Sequence, residues 1–259
     1  MAQDKIGGIV RALVGVPNER LVVVQRVVNG LNSVAEHADE FQVDLSKFVY
    51  GWKPATNEPA TQARPVETIS TVSDIERWEE NYRKLFGKKP GLFSVRIPEK
   101  PEGVGPVRLI VVAKELIEWT DNKPLEGVQE ALKKHFSGWE YSDDLDLDIT
   151  VNDRDPRNGS YAVWVRDVRE ADDEFANKSA DDLKAEGHTG ITTLERQLLE
   201  ADYFFEKGEH LDRSNVTLCT GSRFRHGDMP YVRWRGLFRV YWYVSSYRSS
   251  YLRSRRVWA

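Results

Sequence analysis

The side chains best suited to binding chemistry lie near the C-terminus, where arginine and tyrosine alternate with apolar residues over positions 231–244. Side chains of a β-strand point alternately to its two faces. One face of this segment carries the apolar residues predicted to be buried, which are Val232, Trp234, Val240 and Trp242. The other face carries arginine and tyrosine alone, namely Tyr231, Arg233, Arg235, Arg239, Tyr241 and Tyr243. Because these two residue types concentrate binding energy at interfaces, the pattern favours a binding surface over a merely solvated one.

The predicted surface continues into the neighbouring segments. Residues 245–251 (Ser-Ser-Tyr-Arg-Ser-Ser-Tyr) have no apolar stripe, and serine favours turns, so this segment is predicted to be a loop that extends the strand face. The flanking segments add further predicted ligand-binding residues: Arg223, Phe224, Arg225, His226, Tyr247, Arg248 and Tyr251. The expected centre of the face holds the expected anchors, which are Arg239, Tyr241, Tyr243 and Tyr247.

Positive charge is concentrated at the same end of the chain. From Gly221 onwards there are nine arginines, no lysine and a single acid, Asp228, whereas the whole chain has a net charge of −4. An acidic body therefore carries a basic, aromatic C-terminal region. Arginines and aromatic rings also bind phosphates and bases, so a nucleic-acid-associated protein is the alternative, although the missing lysines and the acidic body argue against it. Arg253, Arg255 and Arg256 could instead pair with acids of the body.

Composition restricts the protein class. A chain of 259 residues with eight tryptophans is long enough for one large domain or two small ones with a substantial core. Cys219 is the only cysteine, which excludes an internal disulfide and fits a reducing compartment. Early arginines interrupt every apolar run, and no run is long enough for a membrane span. The sequence thus predicts a cytoplasmic protein, with release by lysis or an unconventional route as the alternative.

Two groups of chemically active side chains are better explained as structural. An acidic cluster comprises Asp143, Asp144, Asp146, Asp148, Asp153 and Asp155. A calcium loop that begins at Asp144 would need glycine and glutamate where Ile149 and Asp155 stand, so an exposed acidic turn is favoured. Cys219 could act as a nucleophile with a histidine such as His188, His210 or His226, but buried cysteine is the commoner case. The sequence therefore predicts no catalytic residues, no metal, no cofactor and no enzyme activity.

The elements that would position the predicted surface form a mixed α+β order. Residues 1–70 are predicted to be a helical N-terminal segment, with helices over 6–14 and 20–28 and a proline-containing linker over 50–70. Residues 71–259 are predicted to be an α+β domain. Its helices are expected after a capping box that begins at Ser73, over 124–135, and from Thr192 or Thr193 to Gly208. Its strands are expected over 92–97, 107–113, 138–141, 145–151 and 161–165, and the region after Val216 is expected to consist of strands and loops.

Several motifs in the second half of the chain resemble an uncharacterised family that is common in candidate-phylum bacteria with very small genomes. These motifs are Asn-Asp-Arg-Asp-Pro at 152–156, Gly-Ser-Tyr-Ala-Val-Trp-Val-Arg-Asp at 159–167, Ser-Ala-Asp-Asp-Leu-Lys at 179–184, Gly-Ile-Thr at 190–192, Leu-Glu-Arg at 194–196, residues 208–212, Thr-Leu-Cys-Thr-Gly-Ser-Arg at 217–223, and Leu-Arg-Ser-Arg at 252–255. They occur in the family's order, and the resemblance covers roughly residue 107 to the C-terminus.

The layout of this C-terminal region looks like that of the variable proteins of diversity-generating retroelements. Family members agree at Gly221, Ser222, Arg223, Gly227, Pro230, Val232, Trp234, Trp242 and the closing Leu-Arg-Ser-Arg, and they differ at intervening positions. The resemblance implies a C-type-lectin-like module of the formylglycine-generating-enzyme type over about residues 160–259, whose fixed scaffold displays a variable binding face. Enzymes of that fold use paired cysteines, and this chain has only Cys219, so the resemblance implies binding of a protein or acidic glycan rather than oxidase chemistry.

Overall fold

The computed structural model describes residues 69–259, and its helices and mixed sheets form an α+β fold, as the sequence predicts. The helices predicted over 6–14 and 20–28, and the predicted linker (50–70) up to residue 68, lie outside the described residues, whereas the last two linker residues begin a helix.

The helices of the described residues are α1 (Ile69–Phe86), α2 (Leu116–Trp119), α3 (Pro124–Lys133), α4 (Leu145–Asp148), α5 (Ala180–Ala185) and α6 (Thr193–Lys207). Single 3₁₀ turns occur at Leu92–Ser94, Pro156–Asn158 and Asp173–Phe175. The strands are β1 (Val107–Val112), β2 (Gly138–Glu140), β3 (Ile149–Asn152), β4 (Tyr161–Arg166), β5 (Val216–Leu218), β6 (Ser222–Phe224), β7 (Met229–Trp234), β8 (Phe238–Tyr243) and β9 (Leu252–Arg253).

A five-stranded sheet in the order β2-β8-β7-β5-β9 carries the predicted surface. Strands β7 and β8 form an antiparallel hairpin in which Val232 pairs with Val240. Strand β2, which lies about a hundred residues earlier in the chain, runs parallel to β8 at the edge of the sheet. Two further antiparallel pairs of strands in the described residues are β1 with β4 and β3 with β6. The sheet is therefore assembled largely by long-range contacts.

Helix α1 covers strand β1. Its predicted apolar side chains Ile75, Trp78, Tyr82 and Leu85 are buried, and the Trp78 indole donates a hydrogen bond of 2.8 Å to the Leu109 carbonyl. The helix ends where predicted, at Gly87. This residue has φ 73°, a left-handed conformation that glycine adopts without strain. The predicted capping box is wrong, because the helix already begins at Ile69 and Ser73 lies inside it.

Helix α6 begins and ends as the sequence predicts. The Thr192 hydroxyl accepts from the Glu195 backbone N–H while the Glu195 carboxylate accepts from the Thr192 N–H, so each satisfies a donor that the first helical turn leaves unpaired. Gly208 has φ 68° and closes the helix. Helix α3 also begins at the predicted Pro124, and the Gln197 side chain of α6 bonds the Gln129 side chain of α3 at 3.1 Å.

Two predicted strands are wrong. Residues 92–97 form a single 3₁₀ turn, Leu92–Ser94, and then run without pairing to another strand of the described residues. Residues 145–151 divide into α4 and β3 because the Asp144 side chain accepts from the backbone N–H groups of Asp146 and Leu147 and so starts a helical turn. A local side-chain cap thus prevails over the alternating pattern.

A buried ion network joins the C-terminal segment to α6. Asp212 accepts from Arg255 at 2.7 Å and from Arg196 at 2.9 Å, and Arg196 also pairs with Glu200 at 2.8 Å. All four side chains are almost completely buried. Among the described residues, Arg253 and Arg256 likewise pair with acids of the body, namely Asp173 and Glu174. The structural role considered for these three arginines is therefore confirmed.

The buried environment of His188 makes stability depend on pH. Burial is the main cause that lowers the pKa of His188, to about 4, and the charge of Arg256 is the second cause. The Nε2 atom of His188 lies 3.0 Å from the Ser254 hydroxyl. Unfolding restores an ordinary pKa of about 6.5, so between these values the unfolded chain binds more protons. We expect the free energy of unfolding to fall as pH is lowered from 6.5 towards 4.

Urea denaturation of wild-type protein and of His188→Gln, measured at intervals between pH 7 and pH 5, tests this expectation. Glutamine keeps a donor for Ser254 but does not titrate, so the variant's free energy of unfolding should change less with pH. Because the two proteins differ only at residue 188, the difference between their slopes isolates the contribution of this histidine. Equal slopes for the two proteins would show that His188 is not the titrating group.

Candidate ligand-binding surface

One face of the hairpin is more buried than the other, as the sequence predicts, but Arg233, Arg239, Tyr241 and Tyr243 are half-buried and not mostly exposed as their alternation suggests. Val232 and Val240 are fully buried in the main core, as expected. Trp234 and Trp242 are only half-buried, which corrects the prediction that both belong to the interior. Trp234 ends β7 and stacks on the His210 ring, and the Trp242 ring, near the end of β8, meets Tyr141 edge-on. Both tryptophans therefore lie at the margin of the core.

The opposite face of the sheet carries a continuous group of rings, which we call the aromatic face. Its members are Trp139, Tyr141, Tyr231, Tyr241, Tyr243, Tyr247 and Tyr251. The register of the hairpin pairs Tyr231 with Tyr241. Strand β2 adds Trp139 next to Arg239, so rings from three adjacent strands meet on one side of the sheet.

The rings of the aromatic face hold one another in place. Tyr231 stacks on Tyr243 with ring centres 4.5 Å apart, and Tyr243 stacks in turn on Tyr247 at 4.5 Å. Tyr241 stacks on Trp139 at 5.7 Å and meets the Tyr231 ring at 5.8 Å. Aromatic pairs at these separations contribute about 0.5–1.5 kcal/mol each beyond the area that they bury. The face is thus ordered before any ligand arrives.

The predicted loop over residues 245–251 is confirmed, and its tyrosines complete the aromatic face. The Tyr251 hydroxyl lies 3.2 Å from that of Tyr243 and 3.1 Å from that of Tyr247. Hydrogen bonds from these two hydroxyls lower the pKa of Tyr251, whereas burial and its bond to Tyr251 raise the pKa of Tyr243. The loop is also tied to α5 by Arg248, whose guanidinium donates two bonds of 2.6 Å to Asp182.

Exposure divides the aromatic face into an accessible part and a covered part. Trp139 and Tyr141 are 43% and 53% exposed, and Tyr247 is also exposed. Tyr231 is only 8% exposed, because it joins a second, smaller core. The other buried members of that core are Ala180, Val216, Leu218, Met229 and Leu252. The prediction that Tyr231 is free to contact a ligand is therefore corrected.

Phe224 is a second correction. The sequence predicts that it contacts ligand, but its side chain is 2% exposed and belongs to the main core. Strand β6 pairs with β3, and the Ile149–Phe224 register directs this ring inwards. Local composition indicated a surface, whereas the long-range pairing of two short strands decides the orientation.

Most of the predicted basic residues outside the hairpin already have partners within the protein. Arg223 donates to the carbonyls of Thr220 and Ser222 at 2.7 Å. Arg225 lies 3.2 Å from Asp148, and His226 lies 3.1 Å from Asp228. With Arg248, they are engaged in contacts that shape loops, so they are poorer candidates for ligand contact than the hairpin arginines.

The hairpin arginines differ from these. Arg233 and Arg239 occupy directly paired positions on β7 and β8 and are half-buried. Among the described residues neither has a hydrogen-bond or ion-pair partner, and the Nε atom of each is buried without an acceptor. The Arg239 guanidinium lies 6.0 Å from the centre of the Trp139 ring. Arg235 follows in the exposed turn of the hairpin, also without an ion pair in the described part of the chain.

The alternative reactive groups have structural explanations. Cys219 is fully buried, and burial raises the pKa of its thiol to about 12, so it is not an activated nucleophile. In the acidic cluster, Asp144 caps α4 and Asp146 accepts from backbone N–H groups at the start of α3. The favoured interpretation of that cluster as a structural acidic turn is consistent with these bonds.

Comparison of the chain with models of protein families, with curated proteins and with solved structures gives no match. None of the helices in residues 69–259 combines the length and apolar character that crossing a bilayer requires.

Proposed function

We propose that this protein is a ligand-binding protein that displays the aromatic face and the hairpin arginines on a C-type-lectin-like scaffold, as variable proteins of diversity-generating retroelements do. The observation that carries the proposal is the combination of two unpaired arginines with exposed Trp139 and Tyr141 on one side of a sheet. Tryptophan, tyrosine and arginine are the residue types that concentrate binding energy, whereas charges already paired within a protein contribute little to binding.

The division between fixed and differing positions in the resembling family supports this proposal. Several fixed positions have structural tasks in this chain: a side chain at Gly221 would collide with the Gly190 carbonyl at 2.7 Å, and the buried Ser222 hydroxyl donates to Asn152 at 2.6 Å. By the same resemblance Arg239, Tyr241 and Tyr243 are expected to be differing positions, and they lie on the aromatic face. A scaffold that keeps its core and varies one face is suited to recognising different ligands.

The ligand that fits this surface is an acidic macromolecule, either a protein or a glycan. The face is part of an open sheet, and the hairpin supplies three arginines with no ion-pair partner among the described residues. A role in binding, with no reaction at Cys219, agrees with the complete burial of that side chain. A nucleic acid is the competing ligand, and it is distinguished by salt: binding to phosphates weakens steeply and similarly for unrelated sequences as ionic strength rises.

Replacement of Trp139 by alanine tests the proposal. We expect at least about a tenfold loss of affinity for the ligand, since exposed tryptophans at interfaces are frequent binding anchors. The free energy of unfolding should fall by about 1–2 kcal/mol, because the side chain is partly exposed and loses mainly its stacking on Tyr241. Ligands are first selected from arrays of proteins, acidic oligosaccharides and single-stranded oligonucleotides, and affinities are then measured by calorimetry.

Phe93→Ala is the matched control, because Phe93 is an exposed aromatic residue in the 3₁₀ turn Leu92–Ser94, away from the sheet. It should bind like the wild-type protein. If Trp139→Ala and Phe93→Ala bind the selected ligand equally well, the aromatic face is not the binding site. If only oligonucleotides are selected, with a steep salt dependence, the nucleic-acid alternative replaces the proposal.

A further inference from the structure

The arrangement of Arg233 and Arg239 is unfavourable in the protein alone. Their positions are directly opposite across two antiparallel strands, where side chains are close neighbours, and like charges in such a pair are destabilising. A half-buried guanidinium is normally satisfied by a carboxylate or by carbonyl oxygens, as Arg223 is here by the carbonyls of Thr220 and Ser222. Neither hairpin arginine has such a partner among the described residues.

The acids nearest in sequence or register are already committed elsewhere. Glu140 follows Trp139 on β2 and pairs with Val240 on the core side of the sheet, where Lys133 and Gln129 bind its carboxylate. Asp228 precedes β7 and pairs with His226. The two arginines are therefore left without a counter-charge on the aromatic face of the described structure.

We propose that Arg233 and Arg239 form a subsite for one oxyanion group of the ligand, a carboxylate, sulfate or phosphate. This inference rests on the proposed function and adds the chemistry that the ligand must carry. One oxyanion between two guanidinium groups offsets their repulsion and accepts charge-assisted hydrogen bonds from both. Trp139 lies beside Arg239, and Tyr241 stacks on Trp139, so the group that carries the oxyanion would rest on a flat ring surface.

Simple anions test the subsite without knowledge of the ligand. The full-length protein is titrated with sodium sulfate, phosphate or acetate at constant ionic strength, with chloride as the balancing salt, and the Nε–H signals of assigned arginines are followed by NMR. We expect saturable shifts of the Arg233 and Arg239 signals. At an anion concentration ten times the dissociation constant, the melting temperature should rise by roughly 3–6 °C.

The variants Arg233→Gln and Arg239→Gln should each lose the saturable response. Each should also melt at a higher temperature than the wild-type protein in low salt, because one member of the repelling pair is gone. Arg96→Ala, which removes an exposed arginine from another segment, should keep both the response and the wild-type melting temperature. Non-saturable shifts, or equal responses in the glutamine variants, would overturn the subsite.

The three anions also distinguish the source of the group. Preference for acetate would indicate that the ligand carries carboxylates, such as those of an acidic protein or a uronic acid. Preference for sulfate would indicate a sulfated glycan. Preference for phosphate would indicate a phosphorylated ligand. If the anions fail while Trp139→Ala still weakens binding of a selected ligand, only the subsite is wrong. If the anions bind while Trp139→Ala leaves ligand binding unchanged, the subsite stands and the proposed binding face is wrong.

Discussion

Replacement of Asp212 by alanine is expected to lower the free energy of unfolding by about 3–5 kcal/mol, because it leaves buried arginine charge without its counter-ion. Asp212 is fully buried and bonds both Arg196 of α6 and Arg255 near the C-terminus. Without it, Arg196 retains Glu200, whereas Arg255 retains only neutral partners such as the carbonyls of Val168 and Arg169. Urea denaturation followed by fluorescence measures the loss.

Asp173→Ala provides the control for this prediction. Asp173 also pairs with an arginine of the C-terminal segment, Arg253, but it is exposed, and exposed pairs contribute about 0–1 kcal/mol. The two variants remove the same chemical group from the same arginine-rich segment and differ in burial. A loss below about 1 kcal/mol for Asp212→Ala, equal to that of the control, would show that the network does not stabilise the fold.

The contribution of Asp212 to stability also depends on pH, which provides a second test of the same prediction. Burial by itself would raise the pKa of this carboxyl group, but the charges of Arg255 and Arg196 outweigh burial and lower it. A carboxyl group with a lowered pKa stabilises the fold above its ordinary value of about 3.9 and loses that contribution as pH falls below it. Asp212→Ala should lack this part of the acid-induced loss of stability.

The sequence predicts best the helices whose ends carry capping residues or a terminating glycine. Helix α6 was predictable because Thr192 and Glu195 cap its start and Gly208 closes it, all within one stretch of sequence. Helix α1 was predictable in its buried face but not in its start, because Ile69 extends the helix beyond the apparent cap at Ser73. The alternation of apolar residues over 145–151 predicts a strand, whereas the cap that Asp144 provides starts a helical turn there.

The site was predictable in its pattern but not in its boundaries. Alternation of side chains correctly placed Arg239 opposite Val240, since that depends only on the strand itself. It could not show that α5 and β9 cover Tyr231, nor that β2 contributes Trp139, because these depend on contacts between residues far apart in sequence. The signal that marks Trp139 in the sequence is an aromatic residue within the short predicted strand 138–141.

The sequence also does not show which arginines pair with an acid within the protein. Arg248 and Arg239 each follow an aromatic residue in a basic region, yet Arg248 pairs with Asp182, 66 residues earlier, whereas Arg239 meets no acid among the described residues. Composition gives the number of charges, whereas long-range packing decides which remain free for a ligand. The functional proposal therefore rests on three arginines rather than on the nine that the sequence offered.

Simultaneous replacement of Arg239, Tyr241, Tyr243 and Tyr247 by alanine is expected to weaken ligand binding by more than about 1,000-fold, since each of several clustered anchors contributes of order 1–2 kcal/mol. The sequence alone predicts that the free protein keeps nearly all its stability. The structure changes that expectation, because Tyr243 stacks between Tyr231 and Tyr247 and is half-buried. Stability should fall by about 2–4 kcal/mol through lost ring packing.

Tyr243→Phe and a triple variant that retains Tyr243 separate the two effects. Phenylalanine keeps the stacked ring and removes only the hydroxyl that meets Tyr251, so its stability should change by less than about 1.5 kcal/mol. The triple variant, with Arg239, Tyr241 and Tyr247 replaced by alanine, should lose most of the binding and less of the stability. Calorimetric titration with a selected ligand, at a temperature where all variants are folded, gives the affinities. Wild-type affinity in the triple variant would contradict the assignment of these residues as binding anchors, and unchanged stability in the quadruple variant would contradict the packing role of Tyr243.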